Sequence, residues 1–207
     1  GKSTIINLLT RFYEPQRGRI LIDGVEVKDW PLGALREHVA VVLQDVFLFS
    51  DTLRANVTLY RDGFQDEDLQ HAAEGIGAQG LVDQLPDGWD TQVRERGAML
   101  SVGQRQLIAF LRAYVLKPEI LVLDEATSSI DTESERLIQQ ATDRITAGRT
   151  SVLVAHRLST VRKADVIHVL SAGQIVESGN HEHLLAAGGA YAKLFEKQFS
   201  TDGLTGT

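Results

Sequence analysis

The sequence predicts an α/β protein: a parallel-sheet core with an inserted α-helical subdomain and a small antiparallel β-hairpin element. Three observations predict it. After Pro118, strand and helix patterns alternate, as they do in the βα units of a parallel sheet. The run Ile120-Leu121-Val122-Leu123 is apolar throughout and ends in Asp124-Glu125, the pattern of a strand buried on both faces. From about residue 45 to residue 90 the chain turns polar and glycine-rich with helical stretches, unlike the segments on either side.

The elements follow in order. Ile5, Ile6, Leu8, Leu9 and Phe12 have helical spacing over residues 3–12, and Glu14-Pro15-Gln16-Arg17-Gly18 breaks that helix. Residues 19–23 and 25–28 alternate around Asp23-Gly24, a hairpin turn pair. Residues 39–43 form a short buried strand that ends at Gln44. Helical stretches are expected over 66–73 and 79–85, and a longer helix over 102–116 that Pro118 stops. Residues 132–146 form an amphipathic helix (Leu137, Ile138, Ala141, Ile145) closed by Ala147-Gly148. A β-branched strand over 150–155 leads to His156. A strand over 166–170 turns through Ala172-Gly173 into 174–177, and a last helix spans about 181–199 with an interruption at Gly188-Gly189. On this pattern 1–44 and 118–207 make the α/β core, and 45–117 the helical subdomain.

Composition narrows the classes. In 207 residues, 43% hydrophobic and 24% charged content argues against disorder and coiled coil. A formal charge of -7 argues against a nucleic-acid surface but not against a phosphate held by one lysine and backbone N–H groups. There is no cysteine, hence no disulfide framework and no thiol chemistry, which fits a reducing compartment. No apolar run approaches the roughly 18 to 20 residues that cross a bilayer.

Gly1-Lys2-Ser3-Thr4 is the second half of the phosphate loop G-x-x-x-x-G-K-[ST] (Walker A) entering a helix. The chain starts at the second glycine and its one methionine is Met99, so it is expected to be a fragment of a longer protein, truncated within this motif. The strand ending in Asp124-Glu125 delivers two carboxylates to its C-terminal end (Walker B). Leu100-Ser101-Val102-Gly103-Gln104 opens another helix, whose N–H groups and positive dipole end can hold a phosphate. Taken singly these are a helix start, a strand end with solvated acids and a second helix start. A lone Gln44 is usually surface and a lone His156 usually structural. Both follow strands, where α/β sheets bind ligands.

In this order the motifs resemble the nucleotide-binding domain of ATP-binding cassette (ABC) transporters, over nearly the whole chain. The resemblance implies a RecA-like P-loop NTPase core, ATP and Mg²⁺ as cofactors, and ATP hydrolysis coupled to transport. It further implies a head-to-tail dimer with a second nucleotide-binding domain, a transmembrane domain of the same transporter as partner, no nucleic acid, and a place on the cytoplasmic face of the membrane. Lys2 would bridge the β- and γ-phosphates, with the backbone N–H groups of Gly1, Lys2, Ser3 and Thr4 around them. Ser3, Gln44 and Asp124 would hold Mg²⁺. Glu125 would act as general base on the attacking water, with Gln44 reaching the same water and His156 the γ-phosphate. Ser101, Gly103 and Gln104 match the signature motif that closes over nucleotide bound by the other subunit, and Asp131 matches the aspartate at the dimer seam. The first loop glycine, the strand feeding it and the aromatic that stacks on adenine are expected to precede Gly1.

The chain departs from the common pattern at Val102, where glycine is usual, and at Leu107, where arginine is frequent. Neither is expected to touch phosphate, and Val102 implies an ordinary helical or extended backbone there. Leu85-Pro86-Asp87-Gly88-Trp89-Asp90-Thr91, Glu95-Arg96-Gly97, Arg157-Leu158-Ser159-Thr160-Val161, and Gly189, Tyr191, Leu194 and Gln198 are similar to exporter-type domains. The Gln44 region, with Phe47 and Phe49 on a loop, is the expected socket for a coupling helix of the membrane domain. Three alternatives stay open: a stand-alone importer ATPase, a soluble ABC ATPase acting in translation or DNA repair, and a catalytically silent regulatory cassette.

Overall fold

Three short apolar strands organise the molecule. The computed structural model describes residues 1–94, 97–124, 131–154 and 158–202. Its elements are α1 (Lys2–Leu9), β1 (Leu21–Ile22), β2 (Val25–Glu26), α2 (Leu32–His38), β3 (Val39–Val42), α3 (Leu53–Thr58), α4 (Asp66–Ile76), α5 (Gln79–Asp83) and α6 (Val102–Val115). There follow β4 (Ile120–Asp124), α7 (Thr132–Thr146), β5 (Thr150–Val154), α8 (Leu158–Val161), β6 (Ile167–Ser171), β7 (Gln174–Gly179), α9 (His181–Ala186) and α10 (Ala190–Asp202).

Strands β3, β4 and β5 form a three-stranded parallel sheet in that order. Successive side chains point to opposite faces, and the two faces have separate cores. Ala40, Val42, Leu121, Leu123 and Leu153 join α6 and α7 through Leu107, Ile108, Leu111, Ile138 and Ile145. Val39, Val41, Ile120, Val122, Val152 and Val154 face Ile6 of α1, Leu35 of α2 and Val27 after the first hairpin. Helices thus cover both faces, which is why β4 reads as an unbroken apolar run. Helices α3 and α4 add Leu53, Val57, Leu69 and Ile76 to the α6–α7 side, so the helical stretch shares one core with the sheet.

The first hairpin turns at Asp23-Gly24 with φ of 50° and 81°, the left-handed pair that a type I′ turn demands. The strand expected over 166–170 pairs antiparallel with β7 as a two-stranded sheet, so among the described residues it does not extend the parallel sheet. The last helix is two helices, α9 and α10, broken near Gly188-Gly189. Glu177 of β7 explains the break. Its carboxylate accepts the backbone N–H groups of Ala190 and Tyr191, capping α10 at a place where a side chain on Gly189 would collide with it. Helices α2 and α3 were not foreseen: they are seven and six residues long, too short for periodicity to register. No helix among the described residues is long and apolar enough to cross a membrane.

Candidate functional site

The site is assembled at the C-terminal edge of the parallel sheet. Val42 pairs with Leu123, and Asp124 with Val154, so all three strands end together. Gln44, two residues beyond β3, is exposed, one step past Asp124 in this register. Asp124 is half-buried at the end of β4 and shares a small pocket with Gln106, Phe110 and Thr142. From β4 the chain runs directly into Glu125, and from β5 through Ala155 into His156. Glu125 and His156 lie outside the described residues.

Helix α1 is set on the sheet by Ile6, 2% exposed against the Val122 and Val154 face. Its N-cap is Gly1, with no side-chain capping bond and no acidic residue in the first turn. Gly1, Lys2, Ser3 and Thr4 are all exposed. Such a first turn presents backbone N–H groups, a hydroxyl and an ammonium together, the donor set for a polyphosphate. Leu170 of β6 stands beside Gly1, 3.4 Å from where a Cβ would be.

Helix α6 starts differently. Ser101 is its N-cap: Ser101 Oγ accepts from the Gln104 amide at 3.1 Å, and Gln104 Oε1 accepts from the Ser101 amide at 2.9 Å. This is a closed capping box. Gly103 is buried and Val102 is 46% exposed in the first helical turn, with none of the left-handed backbone that a valine resists. Leu107, 3% exposed, packs in the α6–α7 core, which accounts for an apolar residue there. Arg105 steadies the approach to the box by donating to the Leu100 carbonyl at 2.7 Å. At α7, Asp131 is the exposed N-cap and its Oδ1 accepts from the Ser134 amide at 2.9 Å. That bond holds its carboxyl below the ordinary aspartate range.

Gln44 and Asp124 are therefore brought to one edge, whereas Ser101, Gly103 and Gln104 belong to a helix on the opposite face of the sheet from α1. Arg105-Gln106 and Arg112-Ala113 match the family's continuation of the signature helix in sequence, but that match does not tell which carbonyls the two arginines hold. The sequence reading missed Asn56, wholly buried in α3.

Comparison with known proteins identifies the family and the fold. A family model described as ABC transporter matches residues 1–128. The chain is 50% identical over 201 residues to an uncharacterized ABC transporter ATP-binding protein, YknV, of Bacillus subtilis, covering 97% of this chain and 33% of that protein. It is 53% identical over 196 residues to an ATP-dependent lipid A-core flippase of Pseudomonas savastanoi, covering 94% of this chain and 32% of the flippase. A bacterial Atm1-family ABC exporter solved with ATP bound superposes with a TM-score of 0.87 at 42% identity, over 96% of this chain and 35% of that one. The chain belongs to the ABC transporter family, and its fold is the P-loop nucleotide-binding fold of that family. It spans about a third of the length of these relatives.

Proposed function

We propose that this chain is the ATP-binding and ATP-hydrolysing cassette of an ABC exporter. It would couple ATP-driven pairing with a second cassette to movement of a transmembrane domain from the cytoplasmic face of the membrane. The observation that carries the reading is the common edge of β3, β4 and β5. There β4 ends in Asp124, Gln44 follows β3 one step further along, and the chain runs on to Glu125 and His156. The likeness to an exporter solved with ATP bound supports it.

In this reading 1–44 and 118–207 are the catalytic core and 45–117 the subdomain that carries the signature. The first turn of α1 fits the phosphates of ATP, because it is exposed, its N-cap is a glycine with no side chain to cap it, and it contains no acid. Lys2 and the N–H groups of Gly1, Ser3 and Thr4 would bind them, and the oxygens of Ser3, Gln44 and Asp124 suit Mg²⁺. Bound Mg²⁺–ATP supplies the phosphoanhydride bond to be cleaved and the positive charge that offsets its oxygens. Glu125 takes a proton from the attacking water, Gln44 orients that water, and His156 donates to the terminal phosphate. Ser101, Gly103, Gln104 and Asp131 act across the dimer seam.

Glu125→Gln in the full-length protein is the direct test. ATP binding should persist while turnover falls about a hundredfold to ten-thousandfold, the usual range for a lost general base. Hydrolysis at the unmodified rate would reject the assignment.

A further inference from the structure

One partly buried charge stands apart from every role assigned above. Arg112 lies in the last turn of α6, the helix that begins after Ser101. Its Nε donates to the Asn56 carbonyl at 2.6 Å, one terminal nitrogen to the Phe47 carbonyl at 2.7 Å and the other to Asn56 Oδ1 at 2.9 Å. All three acceptors are neutral oxygens, and burial pushes the guanidinium pKa down to about 10. Asn56 is 0% exposed and completes the joint. Its Nδ2 donates to the carbonyls of Phe49 and Thr52, each at 3.0 Å, and its Oδ1 accepts the Phe49 amide at 2.8 Å. A planar fork can span three such oxygens, and a lysine ammonium cannot.

The segment held in this way carries an exposed aromatic cluster. Phe47 and Phe49 meet edge to face at 5.2 Å, and Phe49 and Tyr60 at 5.7 Å. All three are exposed, and the Tyr60 hydroxyl donates to Asp51 at 3.0 Å. Leu59 and Tyr60 both have left-handed backbone, φ 54° and 59°. Side-chain-bearing residues keep that conformation only where their surroundings impose it. A guanidinium partly withdrawn from water onto neutral oxygens is a costly way to add stability. What the joint supplies is stiffness between the aromatic surface and α6.

We propose that Arg112 and Asn56 are positioning residues that make segment 47–60 and helix α6 move as one body. Displacement of the aromatic surface by the membrane domain is then carried to Ser101, about 16 Å along the helix at its 1.5 Å rise per residue. This rests on the exporter reading above.

The test uses the full-length protein in lipid nanodiscs. Residues 1–207 contain no cysteine, so spin labels can be placed among them without background from these residues. Amide hydrogen exchange and spin-label distances, across the cassette pair and across the membrane domain, are compared before and after ATP with orthovanadate. In Arg112→Met, amides of residues 47–52 should exchange about tenfold faster, with those of β3, β4 and β5 unchanged. The fraction of membrane domains that switch, relative to the fraction of closed cassettes, should fall about fivefold. Arg112→Lys keeps the stem and the charge, and should give a smaller change of the same kind; it carries the test if the methionine variant does not fold. Faster exchange confined to 47–52 with an unchanged switching ratio overturns the proposal and leaves the exporter reading standing. Faster exchange throughout the cassette, with closure and switching lost in proportion, also overturns it. A full-length unmodified protein that neither binds ATP nor closes overturns the exporter reading and this proposal together.

Discussion

Helices α1 and α6 both begin at a run that reads as phosphate-binding, and they begin in opposite ways. At α1 the N-cap is a glycine, which has no side chain to cap the first turn, and Lys2, Ser3 and Thr4 are exposed. At α6 the first turn is closed by its own residues, Ser101 and Gln104 exchanging two hydrogen bonds. The difference teaches what each end is prepared for. An uncapped first turn has unsatisfied amides and takes an anion at once. A capped one is stable alone, and its Ser101 hydroxyl must turn from the Gln104 amide, or be shared, before it meets a phosphate. We read α1 as the end that holds nucleotide in one copy, and α6 as the end that waits for nucleotide held by another.

Substitutions at the two ends should differ accordingly. Lys2→Ala should have the larger effect, removing a charge-assisted contact of the kind that contributes about 1.5–3 kcal/mol. ATP affinity of the full-length protein should fall roughly tenfold to a hundredfold, read by equilibrium binding of a fluorescent ATP analogue. An unchanged affinity would erase the contrast. Ser101→Ala comes next. It removes the cap, which should lower stability by about 0.5–2 kcal/mol, read as a denaturant midpoint, and leave ATP affinity of a single cassette as it was. If affinity drops and stability does not, the two ends have been assigned the wrong way round. The smallest effect belongs to Val102→Gly. Val102 is about half exposed in ordinary helical backbone, so the change should cost about 1 kcal/mol or less of helix stability and alter the ATPase rate little. A severalfold rise in turnover would instead mark this signature as a damped variant.

Much of this was legible in the chain. The strands β3 and β4 announce themselves because they run apolar through Val39–Val42 and Ile120-Leu121-Val122-Leu123, and β5 because its Val152-Leu153-Val154 run follows Thr150-Ser151. Helix α7 is legible because Ile138, Ala141 and Ile145 repeat at helical spacing on one buried face. The capping box was also open to reading, since Ser101-Val102-Gly103-Gln104 fits the S/T-x-x-E/Q pattern. The run was read as a helix start and as nucleotide-binding, without the two reciprocal hydrogen bonds between Ser101 and Gln104. What could not be read is long-range and polar. Asn56 sits in the six-residue α3 at a position where periodicity asks for an apolar side chain, and its partner Arg112 is 56 residues away. Neither side chain signals the other until the fold brings them together. The β6–β7 hairpin was legible from Ala172-Gly173, but its separation from the parallel sheet is a matter of pairing that no local pattern specifies.

The central claim is that each ATP site takes α1 from one copy and α6 from the other. It is tested most directly with two full-length protomers joined in tandem, bearing Lys2→Ala and Gly103→Val either on the same protomer or on opposite ones. Gly103 is buried in the first turn of α6, and on the proposed reading a valine there would occupy the space a terminal phosphate needs. Sites shared between copies predict that the opposite-protomer pair keeps one intact site and about half the trapped nucleotide, whereas the same-protomer pair loses both. Nucleotide trapped by the same-protomer pair and lost from the opposite-protomer pair would mean that each copy completes its own site, and would contradict the account.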